Sequence, residues 1–286
     1  MSHFFNYIFF VITAILLFSC GNKIGYDAGF ITSIVVEGKI ELNDYPKVIL
    51  TRNIPYYVEV DSADLLSLVL RQAKVTVSDG VKSEILTLRF KNDEFPPFYY
   101  EGNELIGEVG KTYTLSIEYG LKKLIATTTI PYPVFLDSIW FQPNTIGDSL
   151  GKIDALLSDN PDLHSYYRLF TKISSKQNQF YPTLVSNFND RIFNGEKYTF
   201  HLSKGPESYL DLNSTDFNFT RGDTVFLKIC TMDEASFTFW QGYQNEVANG
   251  ANPFASSYHK VESNIIGDGK GIWGGYGSTV YQIINR

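Results

Sequence analysis

Residues that bind metals or form disulfides are scarce in this chain. Its 286 residues include two cysteines, Cys20 and Cys230, and four histidines. His164, His201 and His259 lie in separate segments without the short spacing that zinc ligands have. The sequence therefore predicts no metal site.

Basic residues are also few, and they are not clustered. The chain has 24 Lys and Arg against 31 Asp and Glu, a net charge of −7, and its basic groupings are isolated pairs such as Lys122-Lys123. A nucleic-acid surface needs a basic face that neutralises phosphates. We therefore expect no nucleic-acid partner.

Complete catalytic motifs are missing as well. The glycines of residues 267–271 are followed by Ile272, so no phosphate-binding loop is completed, and they are interpreted as turn or bulge glycines. Ser278 lacks the glycine two residues beyond it that a nucleophile elbow requires. The sequence singles out no pair of carboxylates as an acid and a base. We expect no catalytic residue, no cofactor and no enzymatic activity.

One apolar run stands out, over residues 4–18, directly before Ser19 and Cys20. It is shorter than the roughly 20 apolar residues of a membrane span, and its length is typical of the core of a signal peptide. The segment Leu17-Phe18-Ser19-Cys20 resembles a bacterial lipoprotein cleavage site, at which the mature chain begins with a lipid-bearing cysteine. Residues 1–19 are thus predicted to be a signal peptide and residues 20–30 a tether.

Acylation of Cys20, by palmitate or a similar chain, would make membrane lipid the first partner, because two or more acyl chains anchor a protein stably. Cys230 would then be the remaining thiol, so no intramolecular disulfide could form. It lies in the apolar run of residues 225–230, where a buried structural cysteine is expected rather than a nucleophile.

Short alternating segments dominate the rest of the chain, in which aromatic residues make up 15%. In residues 113–119, apolar and polar side chains alternate strictly, as a half-buried strand requires. The fold class is therefore predicted to be all-β and mainly antiparallel. Further predicted strands are residues 33–40, 47–52, 73–78, 86–90, 121–130, 166–173, 224–231 and 280–284.

Two signals divide the chain into domains. Gly110-Lys111-Thr112 before Tyr113 resembles the tyrosine corner of immunoglobulin-like sandwiches, although a tyrosine on the buried face of any antiparallel sheet would look the same. Pro131 and Pro133 hold the chain extended and remove ladder donors. We predict an immunoglobulin-like β-sandwich over residues 31–132 and a second β-rich domain over residues 133–286.

The second domain is predicted to contain one helix, near residues 234–249. Asp233 is its expected N-cap, and Asn249-Gly250 is its expected stop. Apolar residues at spacings of three or four, including Phe237 and Trp240, give it an aromatic face. That face is interpreted as core packing.

Aromatic residues are the predicted binding residues. Phe98 lies in an aromatic segment, residues 95–100, that is predicted to be a loop, and Trp273 and Tyr276 lie among glycines near the C terminus. Exposed aromatics on loops commonly bind a partner or a sugar. The alternative is that these side chains close the ends of a sandwich.

Several short segments, taken in order, resemble one family. They are Val35-Val36-Glu37-Gly38, residues 73–80, residues 110–115, Ile130-Pro131, Tyr166-Tyr167-Arg168, Gly222-Asp223-Thr224-Val225, Asn252-Pro253-Phe254 and residues 263–271. With these, the chain is similar to the Bacteroidota lipoprotein family known as domain of unknown function four-two-four-nine.

The resemblance implies an outer-membrane lipoprotein encoded beside a TonB-dependent transporter, with an accessory role at that β-barrel or in capturing its cargo. It supplies no catalytic residues. The alternative is a stand-alone surface lipoprotein that binds a glycan or a peptide. Surface-exposed lipoproteins of this group often carry an acidic run after the lipidated cysteine, whereas residues 21–27 have one acid, Asp27. The sequence therefore does not decide whether the protein lies on the cell-surface face or the periplasmic face of the outer membrane.

Overall fold

The computed structural model describes residues 31–55, 62–92, 94, 96–174, 176–205, 217–250 and 261–285. Cys20, with the signal peptide and tether predicted over residues 1–30, lies outside the described residues. The described part is mostly antiparallel β-structure with two helices. The predicted all-β fold class is therefore confirmed.

The strands are short and follow one another closely. They are β1 (Ile34–Glu41), β2 (Lys47–Arg52), β3 (Lys74–Ser78), β4 (Ser83–Ile85), β5 (Thr87–Phe90), β6 (Phe98–Glu101), β7 (Thr112–Tyr119), β8 (Lys122–Thr129), β9 (Leu136–Pro143), β10 (Leu150–Ser158), β11 (Tyr166–Ile173), β12 (Tyr181–Asn189), β13 (Lys197–Leu202), β14 (Phe219–Thr220), β15 (Thr224–Met232), β16 (Ile266–Gly267) and β17 (Gly269–Ile284). The helices are α1 (Ser62–Ser67) and α2 (Glu234–Gly250). Each predicted strand overlaps an observed one, and α2 confirms the predicted helix.

These strands form three sheets. The eight-stranded sheet has the order β12-β11-β15-β17-β1-β2-β6-β5. The five-stranded sheet has the order β16-β8-β7-β3-β4, and the four-stranded sheet has the order β13-β10-β14, with β9 paired to β10. Within the eight-stranded sheet, β1 and β17 run parallel, and the other pairs are antiparallel.

Alternation along the strands of the large sheet places two cores on one face and a third core on the other. One face of β1 and β2, with Val36 and Leu50, packs on the five-stranded sheet. On β15, Leu227 and Ile229 join a second core that faces the four-stranded sheet. Cys230 and Met232 point to the opposite face, where they pack with α2 in a third core. Two sandwiches therefore share one sheet, and the helix covers part of its other side.

Strand β17 joins the two sandwiches. Its first half pairs with β1, from Ile34 with Gly269 to Glu41 with Tyr276, and it pairs with β15 from Tyr276 to Ile284. The eight-stranded sheet thus contains strands from residues 31–132 and from residues 133–286. The division predicted at residue 132 does not separate the strands of this sheet, because β17 returns from the C terminus to pair with β1.

Glycines on β17 leave room for the segment that links the two halves of the chain. A Cβ atom at Gly277 would overlap the Pro131 carbonyl oxygen, and one at Gly275 would lie 2.8 Å from the Thr129 carbonyl oxygen. The Thr231 hydroxyl donates to the Tyr132 carbonyl at 2.7 Å and holds the same segment. The glycines of residues 275–277 are therefore sites of close backbone approach.

Tyr113 ties β7 to the loop before it. Its hydroxyl donates to the Ile106 carbonyl at 3.2 Å and accepts from the Glu108 N–H at 2.8 Å. A tyrosine corner of an immunoglobulin-like sandwich bonds in this way to backbone a few residues upstream. Of the two interpretations of this tyrosine, the geometry therefore fits the corner.

Asp233 fixes the start of α2, as the sequence predicts. Its Oδ1 accepts from the Ser236 N–H at 2.8 Å, and its Oδ2 accepts from the Thr128 hydroxyl at 2.7 Å. The first bond is an N-cap, and the second attaches the helix start to the end of β8. The helix is therefore held at its first turn by side chains distant in sequence.

We expect Gly277→Ala to destabilise the protein by about 3 kcal/mol, because the added methyl group on β17 would overlap the backbone of Pro131 and Pro133. The matched control is Gly242→Ala inside α2, where the nearest atom to the new Cβ is Val261 Cα at 3.5 Å. That change should be neutral or stabilising by up to about 1 kcal/mol. Urea unfolding measures the free energy of unfolding of both variants. Equal changes would contradict the close approach of the linking segment to β17.

Candidate binding surface

Two of the predicted ligand-binding residues lie in the core. Trp273 is fully buried, and its indole N–H donates to the Tyr113 carbonyl at 3.0 Å. Tyr276 is 4% exposed, and its hydroxyl accepts from the Trp240 indole N–H at 2.8 Å. The prediction that these side chains bind a ligand is corrected. Strand β17 lies inside the sheet, and Trp273 and Tyr276 pack in the cores on its opposite faces.

Phe98 is half-buried, and it begins β6 rather than lying in a loop. Its ring lies 5.0 Å from that of Phe90, and the Arg71 guanidinium lies 4.9 Å from its centroid. Tyr99 and Tyr100, which follow it, are buried. Part of the Phe98 ring faces solvent, so a ligand contact there stays a prediction.

A buried ionic cluster lies on the helix side of the eight-stranded sheet. Glu41 is 7% exposed and accepts from the Lys39 ammonium at 2.6 Å and from the Lys228 ammonium at 2.9 Å. Burial alone would raise the pKa of Glu41, but the charges and hydrogen bonds of Lys39 and Lys228 outweigh it and lower the pKa to about 2. Since Lys228 lies on β15 and Glu41 on β1, the pair bridges the two strands on either side of β17.

Arg168 occupies the same side of the sheet, under α2. Its guanidinium lies 3.4 Å from the centroid of the Trp240 ring and 4.9 Å from that of Phe170. The Lys228 ammonium also lies 4.9 Å from the Phe170 centroid. Such cation–π contacts are stronger when water is excluded, and the contact between Arg168 and Trp240 attaches α2 to the sheet.

Cys230 belongs to the same buried region and is 1% exposed. Burial raises the pKa of its thiol to about 12. A thiol is a nucleophile only as the thiolate, which such a pKa suppresses at neutral pH. The prediction that Cys230 is structural is confirmed.

The outer face of the four-stranded sheet carries a different set of side chains. On β10, Ile153, Ala155 and Leu157 point into the second core and are fully buried, so Asp154 between them points outward. Asp154 pairs in register with Trp140 of β9 on one side and with His201 of β13 on the other. These three residues, here named the Trp140 row, lie side by side across the sheet.

The Trp140 row combines an aromatic face with a fixed polar pair. Trp140 is 36% exposed, whereas Trp240 and Trp273 are buried at 7% and 0%. Asp154 is 5% exposed, and its Oδ1 lies 2.9 Å from His201 Nδ1. The His201 side chain is 68% exposed. Chemically, this surface offers one flat apolar ring and one exposed imidazole, which the largely buried Asp154 carboxylate anchors.

Residues on the same face around the Trp140 row are polar except Leu156. On one side lie Gln142 and Lys152, and on the other lie Ser138, Leu156 and Thr199. Beyond these, the Ser158 hydroxyl donates to Asp137 at 2.6 Å, next to Lys197 in the neighbouring strand. With Asp137, Asp154, Lys152 and Lys197, acidic and basic residues balance on this face.

The sequence interpretation missed Trp140, although a signal for it exists. Residues 136–143 alternate, with Ile139 and Phe141 packed on the core and Trp140 between the polar residues Ser138 and Gln142. Tryptophan is enriched at binding interfaces, so one on the polar face of an amphipathic strand is a candidate binding residue. Residues 136–143 are not among the strands predicted from the sequence, so the position of Trp140 on a polar strand face is not predicted either.

Neither a metal-ligand cluster nor a membrane-spanning helix occurs in the part of the chain that the structure describes. Within it, no group of three or more His, Cys, Asp or Glu side chains could hold a metal ion. None of its helices combines the length and apolar character needed to cross a membrane.

Comparison with known proteins yields one family match. A family model described as "Domain of unknown function (DUF4249)" matches residues 25–282. No curated protein matches the chain. A crystal structure of bovine butyrophilin is similar over 70% of this chain and 92% of its own, at 6% identity and a TM-score of 0.20. A similarity that low carries no structural inference.

We expect Glu41→Gln to destabilise the protein by on the order of 3 kcal/mol at neutral pH, because it leaves the Lys228 ammonium buried without a carboxylate. The matched control is Glu118→Gln. Glu118 forms an exposed pair with Lys74 at 3.6 Å, whose loss should cost under about 1 kcal/mol. Urea unfolding at pH 7 compares the variants.

The same variant should change the acid response. The pKa of Glu41 falls from 4.5 to about 2 on folding, so its contribution is present above pH 4.5 and is lost as pH falls towards 2. The wild type should therefore lose stability in this window relative to Glu41→Gln. Parallel pH profiles of the two proteins would contradict the role assigned to Glu41.

Proposed function

This chain belongs to the family described as Domain of unknown function (DUF4249), and on that basis we propose that it is a non-enzymatic outer-membrane lipoprotein. In this proposal, acylated Cys20 holds it in the membrane, and it is accessory to a TonB-dependent transporter or to the capture of its cargo. The anchor is supported by the apolar run before Leu17-Phe18-Ser19-Cys20. The transporter role is supported by the resemblance to lipoproteins encoded beside such β-barrels.

The observation that carries the binding role is the Trp140 row. A protein that captures cargo or docks on a partner needs a surface whose contacts contribute binding energy. Large aromatic side chains supply much of the energy of such contacts. Trp140 presents such a ring beside the Asp154–His201 pair, on the outer face of a sheet whose inner face is packed. A rigid, pre-formed surface of this kind loses little entropy on binding.

A non-enzymatic role agrees with the placement of the reactive groups that the structure describes. The Cys230 thiol is buried, with a raised pKa. Glu41 is engaged by two ammonium groups, and Tyr276 is enclosed beneath α2. These groups stabilise the fold, and the exposed Trp140 and His201 side chains suit recognition.

A second candidate function is a stand-alone surface lipoprotein that binds a glycan or a peptide. The same Trp140 row favours it, because the aromatic face is open in the isolated chain. The two candidates differ in whether a β-barrel partner is needed. They share the lipid anchor and the absence of a nucleic-acid partner.

Purification from gently solubilised membranes tests the proposal. We expect the full chain, tagged at its C terminus, to be recovered with a large β-barrel protein. The control is Cys20→Ala, which should leave the membrane fraction and lose that partner, because it lacks the acyl chains. Wild-type protein recovered without a β-barrel, even after cross-linking, would contradict the transporter role. Membrane retention of Cys20→Ala would contradict the lipid anchor.

A further inference from the structure

We propose that the Trp140 row is a binding site for a neutral oligosaccharide. One sugar ring would stack on the Trp140 indole, and sugar hydroxyl groups would bond to the exposed His201 imidazole, which the buried Asp154 carboxylate holds in place. This inference rests on the binding role proposed above and names its ligand class.

The exposure of Trp140 points to stacking. Packing accounts for Trp240 and Trp273, which are buried at 7% and 0%, but it leaves Trp140 36% exposed among polar neighbours. The face of an indole carries partial negative charge, and the C–H groups on one face of a pyranose ring carry partial positive charge. The two surfaces are flat and complementary, so contact between them removes apolar area from water and gains electrostatic attraction.

His201, oriented by the buried Asp154 carboxylate, supplies a directional bond beside the ring. His201 Nδ1 is bonded to Asp154 Oδ1 at 2.9 Å, which fixes the orientation of the imidazole. Among the described residues, its Nε2 has no hydrogen-bond partner, and the side chain is 68% exposed. Sugar hydroxyl groups both donate and accept, so they can bond to Nε2 in either tautomer.

The dimensions of the Trp140 row favour more than one sugar unit. Trp140 and His201 flank Asp154 on the two neighbouring strands, and adjacent strands lie about 4.8 Å apart. The backbones of Trp140 and His201 are therefore about 10 Å apart along the row. An oligosaccharide running across the strands can contact both residues, with one unit on the Trp140 ring and another near His201.

The charge of this face favours a neutral ligand. Asp137 and Asp154 are matched by Lys152 and Lys197, so no single sign dominates. An anionic ligand would be attracted by the lysines but repelled by Asp154, which lies at the centre of the row. A neutral polyhydroxylated ligand pays no such electrostatic penalty.

A peptide is the competing occupant. Strand β9 lies at an edge of the four-stranded sheet, and an extended peptide could add to it by backbone hydrogen bonds. Such a peptide would bond along the edge and would not depend on the face of Trp140 or on His201. Variants of the Trp140 row therefore separate the two ligands.

The test is titration calorimetry of the full chain in mild detergent against neutral hexasaccharides of glucose, mannose, xylose and N-acetylglucosamine, with the monosaccharides alongside. We expect at least one hexasaccharide to bind, its monosaccharide to bind more weakly, and Trp140→Ala to weaken binding roughly tenfold or more. His201→Ala should weaken it several-fold. The control, Phe90→Ala, removes a 60% exposed aromatic from β5 of another sheet and should leave binding unchanged.

Failure of every hexasaccharide to bind would overturn the inference, as would binding that Trp140→Ala leaves unchanged or binding of extended peptides alone. Thermal unfolding of each variant verifies the fold. If Trp140→Ala does not fold, the hexasaccharide affinities of Trp140→Phe and His201→Ala test the inference instead, because these variants keep more of the packing. Recovery of a β-barrel partner is a separate measurement, so the transporter role and the glycan site can fail independently.

Discussion

The fold depends on the insertion of β17 between β1 and β15. This strand comes from the C-terminal end of the chain, pairs in parallel with the first described strand and continues antiparallel to β15. Residues 271–277 are buried on both faces, with Trp273 in the first core and Tyr276 under α2. Glu41 and Lys228 meet across β17 and add a charged bridge between its two neighbours. Removing β17 would separate the halves of the eight-stranded sheet and open all three cores.

The candidate surface follows from that arrangement. Because β17 makes one continuous sheet, both small sheets use their inner faces to cover it, and each has an outer face of its own. On the four-stranded sheet, alternation along β10 buries Ile153 and Ala155 and turns Asp154 outward between Trp140 and His201. The Trp140 row is thus a consequence of strand register, supported by a packed core beneath it. A site built on strands in this way is rigid before a ligand arrives.

The sequence predicted the elements whose local pattern is unambiguous. Strict alternation identified β7, and Asp233 identified the start of α2. The glycines around Trp273 and Tyr276 are locally typical of a loop, and only pairing with β1, more than two hundred residues away, makes them a central strand. β9 and β10 were missed because Leu156 interrupts the polar face of β10 and because an exposed Trp140 blurs the alternation of β9. The candidate site lies on these two strands and on β13, which was also missed, so local pattern alone did not reveal it.

The most direct test of the central claim is native-state hydrogen exchange on the intact chain. If β17 makes the two sandwiches one cooperative unit, the slowest-exchanging amides of β7, in the first core, and of β10, in the second, open together. Their free energies of opening should agree to within about 1 kcal/mol and should fall with the same dependence on denaturant. Exchange through separate openings, with one set of amides several kcal/mol less protected than the other, would show that the two sandwiches unfold independently and would contradict the account.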